Sequence, residues 1–439
     1  MSSPLLIRDA EIREQAASLI AEQGLTSSGP LAVLTGNGLG FLAARQVSLE
    51  LGVPLVPINP ALRAQEIHHI LQDSGAGSLL LHPDYAGHLP EGDLKGELGI
   101  ERIVMSGALA EAPRPLLVKS QGALRPEQIG STIIYTSGTT GKPKGCVRSA
   151  EQECARAAEL IESFDISAND VQLIASPMAH SAPGIFVRAA AAVGARSLVL
   201  PRFDEEAVWR ALQDHAVSFF FMVPTQYHRL VRAHGHRPVP DSVRAAIVAG
   251  APLSMRLRAQ LHQWFGSARF WEFYGSSETG TVSILPPASS HEAPGSVGRL
   301  TTDVEVEIRR WDGSLCLPTE VGEIFVRSPT VMSGYLGSEA PRSPTEFVSV
   351  GDLGHLDERG YLYLVDRKHD TIISGGVNVY PAEVEAALVA DPRIDAAVAF
   401  GVDDEEWGQR VVAFVSCTDA SLDEDELESL RLACKQELA

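Results

Sequence analysis

Lysine is scarce in this 439-residue chain: of its 36 basic residues only those at 95, 119, 142, 144, 368 and 435 are lysines, and the rest are arginines. Two of the six stand two residues apart, Lys142 and Lys144, which singles out that stretch. Basic charge as a whole is also short. Against 56 acidic residues it leaves a net charge of −20, which excludes nucleic acid or an anionic membrane surface as the main partner. The five cysteines, at 146, 154, 316, 417 and 434, form no CxxC pair and have no histidine at ligand spacing, so neither a zinc site nor a disulfide framework is expected. No apolar run reaches the roughly 18 residues of a membrane-spanning helix. The N-terminal MSSPLLIRDAEIREQ lacks the charged-then-apolar pattern of a signal peptide, and a cytoplasmic location is expected. What the chain does have is apolar material, 45% of its residues, enough for an ordered protein of two or three domains.

The first half alternates helical and apolar-strand patterns. A helix is expected over 7–23, strands at 31–36 and 53–58, helices at 41–51 and 64–72, and a strand at 78–82. Asp204 reads as the cap of a helix running to His215, and SFFFMVP (218–224) as a buried strand. This alternation predicts βα units and parallel sheets. From about Asp303 the texture changes: DVEVEIRR and GEIFVRS (322–328) alternate apolar and polar, as antiparallel strands with one wet face do. Pro381 fits the first position of a helix, and RVVAFVSC (410–417) a further strand. Residues 370–439 hold 16 acidic and 4 basic side chains.

The most informative string is IIYTSGTTGKPKG, 133–145. An apolar strand runs into Thr136, Ser137, Gly138, Thr139, Thr140, Gly141, Lys142, Pro143, Lys144 and Gly145. Glycines let a backbone approach an anion closely, hydroxyls and amides donate, and lysines neutralise charge; the stretch reads as a polyphosphate cradle. It is not a P-loop, because Pro143 follows Lys142 where Ser or Thr is required. A second string, EFYGSSETG (272–280), joins an aromatic ring, hydroxyls and a carboxylate in a tight turn. AGAPL (249–253) is small enough for backbone to pass close to a flat ligand.

These strings resemble those of the adenylate-forming superfamily, which includes acyl-CoA synthetases and aryl-CoA ligases. The resemblance spans the chain from about residue 8 to its end, with the motifs in family order. It implies an α/β fold: a large N-terminal domain, 1–366, of parallel sheets flanked by helices with a small antiparallel β-barrel, then a small α+β domain, 367–439. It implies ATP, Mg²⁺ and coenzyme A, or a carrier-protein phosphopantetheine, as cofactors and co-substrates. The loop 136–144 would grip the β- and γ-phosphates. Gly250, Ala251, Pro252, Glu272, Phe273, Tyr274 and Gly275 would surround adenine, Ser277 would hold the α-phosphate and Glu278 the metal. Asp352 would accept the ribose hydroxyls with Arg367 in support. Ser374, Gly375 and Gly376, in IISGGVNVYPAEVE, would face the pantetheine tunnel. His180, in SPMAHSAPGIF, would stand near the acid carboxylate. Lys144, His180, Ser277 and Glu278 make up the implied catalytic set.

The implied reaction forms acyl-AMP from a carboxylic acid and ATP, then transfers the acyl group to a thiol. The acid pocket is expected along Met178, His180, Phe186, Phe221, Val223, Tyr227, Ala249 and Phe273. It holds no acidic side chain for an ammonium group, which favours an aryl, cyclic or medium-chain acid over an amino acid. Two alternatives stand beside transfer to coenzyme A: loading of an acyl carrier protein, and a catalytically impaired relative that only binds nucleotide or acyl ligand. A homodimer is compatible with the resemblance; nucleic acid and membrane are not expected partners. Two departures are visible. The family's C-terminal adenylation lysine follows a glycine, whereas Lys435 follows Cys434. An incomplete C-terminal domain and a weak first half-reaction are therefore expected. At the hinge, where the family carries Asp or Lys, this chain has His369.

Overall fold

The computed structural model describes residues 5–21, 24–25, 28–89, 100–105, 115–119, 129–136, 142–266, 269–338, 345–417 and 422–437. Three sheets organise them. The largest has thirteen strands, and its centre is parallel: Arg196–Val199, Val171–Ile174, Phe219–Met222, Ala245–Val248 and Phe270–Ser276 lie side by side. Of these, Phe219–Met222 and Ala245–Val248 are short, apolar and buried throughout, as strands covered on both faces must be. Phe219 and Phe221 enter one core, with Phe186 and Ile247; Phe220 and Met222 enter the core on the other face, with Trp209 and Leu261.

At Phe270–Ser276 the pairing turns antiparallel and runs on through Gly280–Leu285, Gly298–Leu300, Tyr361–Arg367, Asp352–Leu356, Gly322–Arg327 and Glu305–Arg309. The expected alternating segments are thus an extension of the main sheet. Gly322–Arg327 alternates buried and half-buried residues as its sequence pattern requires.

The second sheet has seven strands, with Leu31–Leu34 between Leu55–Pro57 and Ser78–Leu81 in parallel, and Thr132–Thr136 paired antiparallel to Lys144–Arg148. The third has four: Val377–Val379, Ile372–Ser374, Gly408–Cys417 and Ile394–Asp404. The helices Pro381–Ala390 and Glu424–Glu437 accompany it, the first opening on proline as expected. The Asp366 carboxylate accepts from the Ala382 amide at 2.9 Å and so ties the main sheet to that helix.

Local readings were mostly followed. The Asp204 carboxylate accepts from the Ala207 amide at 2.8 Å and caps Glu205–Asp214. The first helix is shorter than expected, Asp9–Ala21, because Ile7 lies in a strand, Leu5–Arg8, paired to Leu116–Lys119. Among the described residues no helix is long and apolar enough to cross a membrane.

Candidate functional site

The strand Phe270–Ser276 builds two walls at once. Its alternation sends Phe273 toward the core of Phe186, Phe221 and Ala249, and Tyr274 toward Val282 and Ile324. Behind it the chain turns sharply. Ser276 Oγ accepts from the amides of Glu278 and Thr279, both at 3.1 Å. A Cβ on Gly275 would stand 2.0 Å from the Gly280 carbonyl, so only glycine fits there. The fully buried Arg148 donates to the Ser277 carbonyl and fixes this turn from behind.

Glu278 leaves the turn buried, and Oε1 accepts from Thr136 Oγ1 at 3.0 Å and from Tyr335 Oη at 3.1 Å. Both bonds converge on one oxygen, which leaves Oε2 for a cation. No group of three His, Cys, Asp or Glu that could cage a metal exists among the described residues. A metal here would rest on one carboxylate plus ligand phosphates and water, as Mg²⁺ commonly does; the donor set fits it.

Thr136 ends its strand opposite Lys144. Ser137, Gly138, Thr139, Thr140 and Gly141 lie outside the described residues. Past them Lys142 is exposed, and the Lys144 ammonium lies 5.5 Å from the Tyr335 ring centroid.

Tyr274 Oη donates to Asp352 Oδ2 at 2.6 Å, and Arg367 Nε stands 3.4 Å from Oδ1 of the same carboxylate. Asp352 and Arg367 are direct partners in neighbouring strands. Burial, then the nearby Asp352 charge, raises the Tyr274 pKa well above its ordinary value, so the phenol keeps its proton. Glu272 is buried and salt-bridged to Arg258 at 2.7 Å, and burial pushes its pKa up to about 7. Gly250, at φ +89°, begins an exposed turn with Ala251 and Pro252.

Of the residues expected to line an acid pocket, Phe186 and Phe221 stack at 5.6 Å, with Phe273 5.9 Å from Phe221 and Val223 alongside. Two expected lining residues are elsewhere. Tyr227 is fully buried on the opposite face of the sheet with Phe220 and Phe265, its hydroxyl donating to the Ile247 carbonyl. Met178 packs in a separate core with Ile174 and Val187. His180 starts the helix Ser181–Val193 and is open to solvent on one side. Protein on its other sides lowers its pKa by desolvation.

Ser374, Gly375 and Gly376 form a tight hairpin turn with φ +58° and +82° at the two glycines. The Gly375 amide donates to the Trp407 carbonyl, and a Cβ there would stand 2.8 Å from the indole. His369 Nε2 lies 3.3 Å from Asp370 Oδ1. Sequence reasoning did not find Arg148, Tyr335, Asn37 or Asn59. Both asparagines follow parallel strands of the second sheet, in TGNG and INP strings that read as ordinary turns.

The family model of AMP-binding enzymes matches residues 9–336, and that of the AMP-binding enzyme C-terminal domain matches 383–439. The 2-succinylbenzoate–CoA ligase of Bacillus licheniformis is 31% identical over 431 residues, 97% of this chain and 86% of that protein. The o-succinylbenzoate CoA synthetase of Bacillus subtilis, solved with its acyl-adenylate intermediate, has a TM-score of 0.84 and 28% identity over 99% of this chain and 89% of that one. The same enzyme with ATP and magnesium ion gives 0.83 and 28% over 99% and 90%.

Proposed function

Since this chain belongs to the AMP-binding enzyme family, we propose that it is an AMP-forming acid–thiol ligase acting on an aryl carboxylic acid, with coenzyme A as acceptor. One observation carries the reading. The Tyr274–Asp352–Arg367 group and the Thr136–Glu278–Tyr335 group are four residues apart along one strand and turn. That spacing suits a nucleotide with its ribose at the first group and its phosphates at the second.

In this reading Asp352 accepts both ribose hydroxyls, and Tyr274 and Arg367 hold its carboxylate in place. Glu278 holds Mg²⁺, which would neutralise phosphate charge and polarise the α-phosphate. Lys142 and Lys144 balance the outer phosphates, and Ser277 donates to the α-phosphate. An oxygen of the acid attacks the α-phosphorus and pyrophosphate leaves. The thiol sulfur of coenzyme A then attacks the acyl carbon and AMP leaves with the acid's oxygen. The protein's work is to hold two mutually repelling anions in line.

The acid is read as aryl because Phe221, Phe273 and Val223 offer flat apolar contact and because the relatives act on 2-succinylbenzoate. Residues 1–366 are read as the adenylating domain and 367–439 as its mobile partner. A carrier-protein phosphopantetheine is the alternative acceptor.

Product analysis tests the proposal. With ATP, Mg²⁺, coenzyme A and a panel of aryl acids, AMP, pyrophosphate and acyl-CoA are expected in equal amounts. ADP as product, or AMP release indifferent to the acid, would refute it.

A further inference from the structure

His180 does not stand free of the rest of the chain. Nδ2 of Asn59 lies 3.2 Å from Nε2 of the imidazole, across 121 residues of sequence. The roles in this contact follow from the other end of the amide. Asn59 Oδ1 accepts from the Ala61 amide at 3.0 Å, so the oxygen is fixed toward the backbone and the NH₂ group faces His180. An amide nitrogen only donates. Nε2 must therefore accept, and an accepting Nε2 carries no proton. The neutral ring then holds its proton on Nδ1.

The segment bearing His180 is held as firmly. Asn37 Nδ2 donates to the carbonyls of Ser176 and Leu200 at 3.0 and 3.2 Å, and Asn37 Oδ1 accepts from the Met178 amide at 2.8 Å. Asn37 follows the strand Leu31–Leu34 and Asn59 follows its parallel neighbour Leu55–Pro57. His180 comes after Val171–Ile174 of the larger sheet. The contact thus joins the carboxyl ends of strands from two sheets, where ligands gather in such folds.

We propose that Asn59 is a positioning residue that holds His180 as a neutral Nδ1–H donor for the acid's carboxylate. An imidazolium would present Nε2–H to the amide NH₂, donor against donor, so Asn59 opposes protonation as well as fixing the tautomer. Burial acts in the same direction and lowers this imidazole's pKa. No partner of Nδ1 is present among the described residues, so its proton is available to a ligand. His180 then offers an incoming carboxylate one directed hydrogen bond.

The catalytic consequence rests on the ligase reading above; the hydrogen bond does not, and it is measured without substrate. The whole chain is labelled with ¹⁵N-histidine, and the His180 signals are assigned by their loss in His180→Gln. Near pH 8 the wild type is expected to show the Nδ1–H tautomer. Asn59→Asp keeps the acceptor for the Ala61 amide but turns an accepting carboxylate toward the ring. The proton is expected to move to Nε2 and the His180 pKa to rise by about one to two units. Asn59→Ala is expected to give a mixture of both tautomers. A purely structural asparagine would move none of these signals. An Nε2–H tautomer in the wild type, or an unmoved His180 pKa in Asn59→Asp, overturns the proposal. In turnover, the acidic limb of kcat/KM for the acid should shift upward with Asn59→Asp, and the shift should vanish when His180→Ala is added. A shift that survives His180→Ala would show that Asn59 acts through another group.

Discussion

The guanidinium of Arg148 closes a clamp on the carbonyl of Ser277, with Nε at 2.8 Å and Nη2 at 2.5 Å, while Nη1 reaches the Thr330 carbonyl at 2.5 Å. Three donors of one fully buried side chain thereby fix the residue that precedes Glu278. Burial, then repulsion from Arg156, lowers the Arg148 pKa to about 10, which leaves it charged at neutral pH. Arg148→Met would strand the buried Thr330 carbonyl and leave the Ser277 carbonyl only the weak Cys146 thiol donor. A loss of about 3 kcal/mol in stability is expected, read from urea unfolding, together with weaker ATP binding by calorimetry.

Glu278→Gln separates charge from shape. A glutamine oxygen still accepts from Thr136 and Tyr335, so the urea midpoint should barely move. Loss of the anion removes the proposed metal site. Turnover is expected to fall by roughly 10²–10³, with ATP binding losing its dependence on Mg²⁺. Retention of both would show that Glu278 has no part in metal binding.

Stability should fall as pH rises through the neutral range, because of Glu272, described above, and equally of Glu159. Burial, against a hydrogen bond from Thr301, raises its pKa from 4.5 to about 7. Between those values the native state holds a proton that the unfolded chain has released, so stability declines with pH and levels off above about 7. The limit is about 3 kcal/mol at roughly 1.4 kcal/mol per unit. Glu153 acts oppositely and at lower pH. Burial would raise its pKa, but Arg156, Arg188 and Arg148 outweigh that and hold it at about 2, so its contribution is lost only in acid. Glu159→Gln should remove roughly half of the slope of urea midpoints measured from pH 5 to 8, leaving the share of Glu272. An unchanged slope would place the cause elsewhere.

Gly375→Ala tests the glycine turn. The substitution meets both a left-handed φ of +58° and the Trp407 ring at 2.8 Å, a strain of about 1–2 kcal/mol. Thioester formation from supplied acyl-AMP and coenzyme A should slow tenfold or more, while acid-dependent ATP–pyrophosphate exchange holds within about twofold. Equal losses in both would remove the turn from the acceptor side.

The legible parts of this protein were those with local causes. Asp204 caps its helix because its carboxylate bonds an amide three residues on, and Ser276, within EFYGSSETG, closes its turn on the amides two and three residues on. What escaped has distant causes. FFFM at 219–222 buries both faces of its strand, so no periodicity tells that Phe221 lines one core and that nearby Tyr227 belongs to the other. The strand Ile394–Asp404 is alanine-rich and takes its form from pairing with Gly408–Cys417. Asn37 and Asn59 gain their meaning only when two sheets bring them to the segment of His180.

The central claim, attack of a carboxylate on the α-phosphorus, is tested most directly with an aryl acid labelled with ¹⁸O in its carboxyl group. After turnover with ATP and coenzyme A, mass spectrometry should find one ¹⁸O atom in each AMP and none in pyrophosphate. Unlabelled AMP, or label in pyrophosphate, would contradict the account.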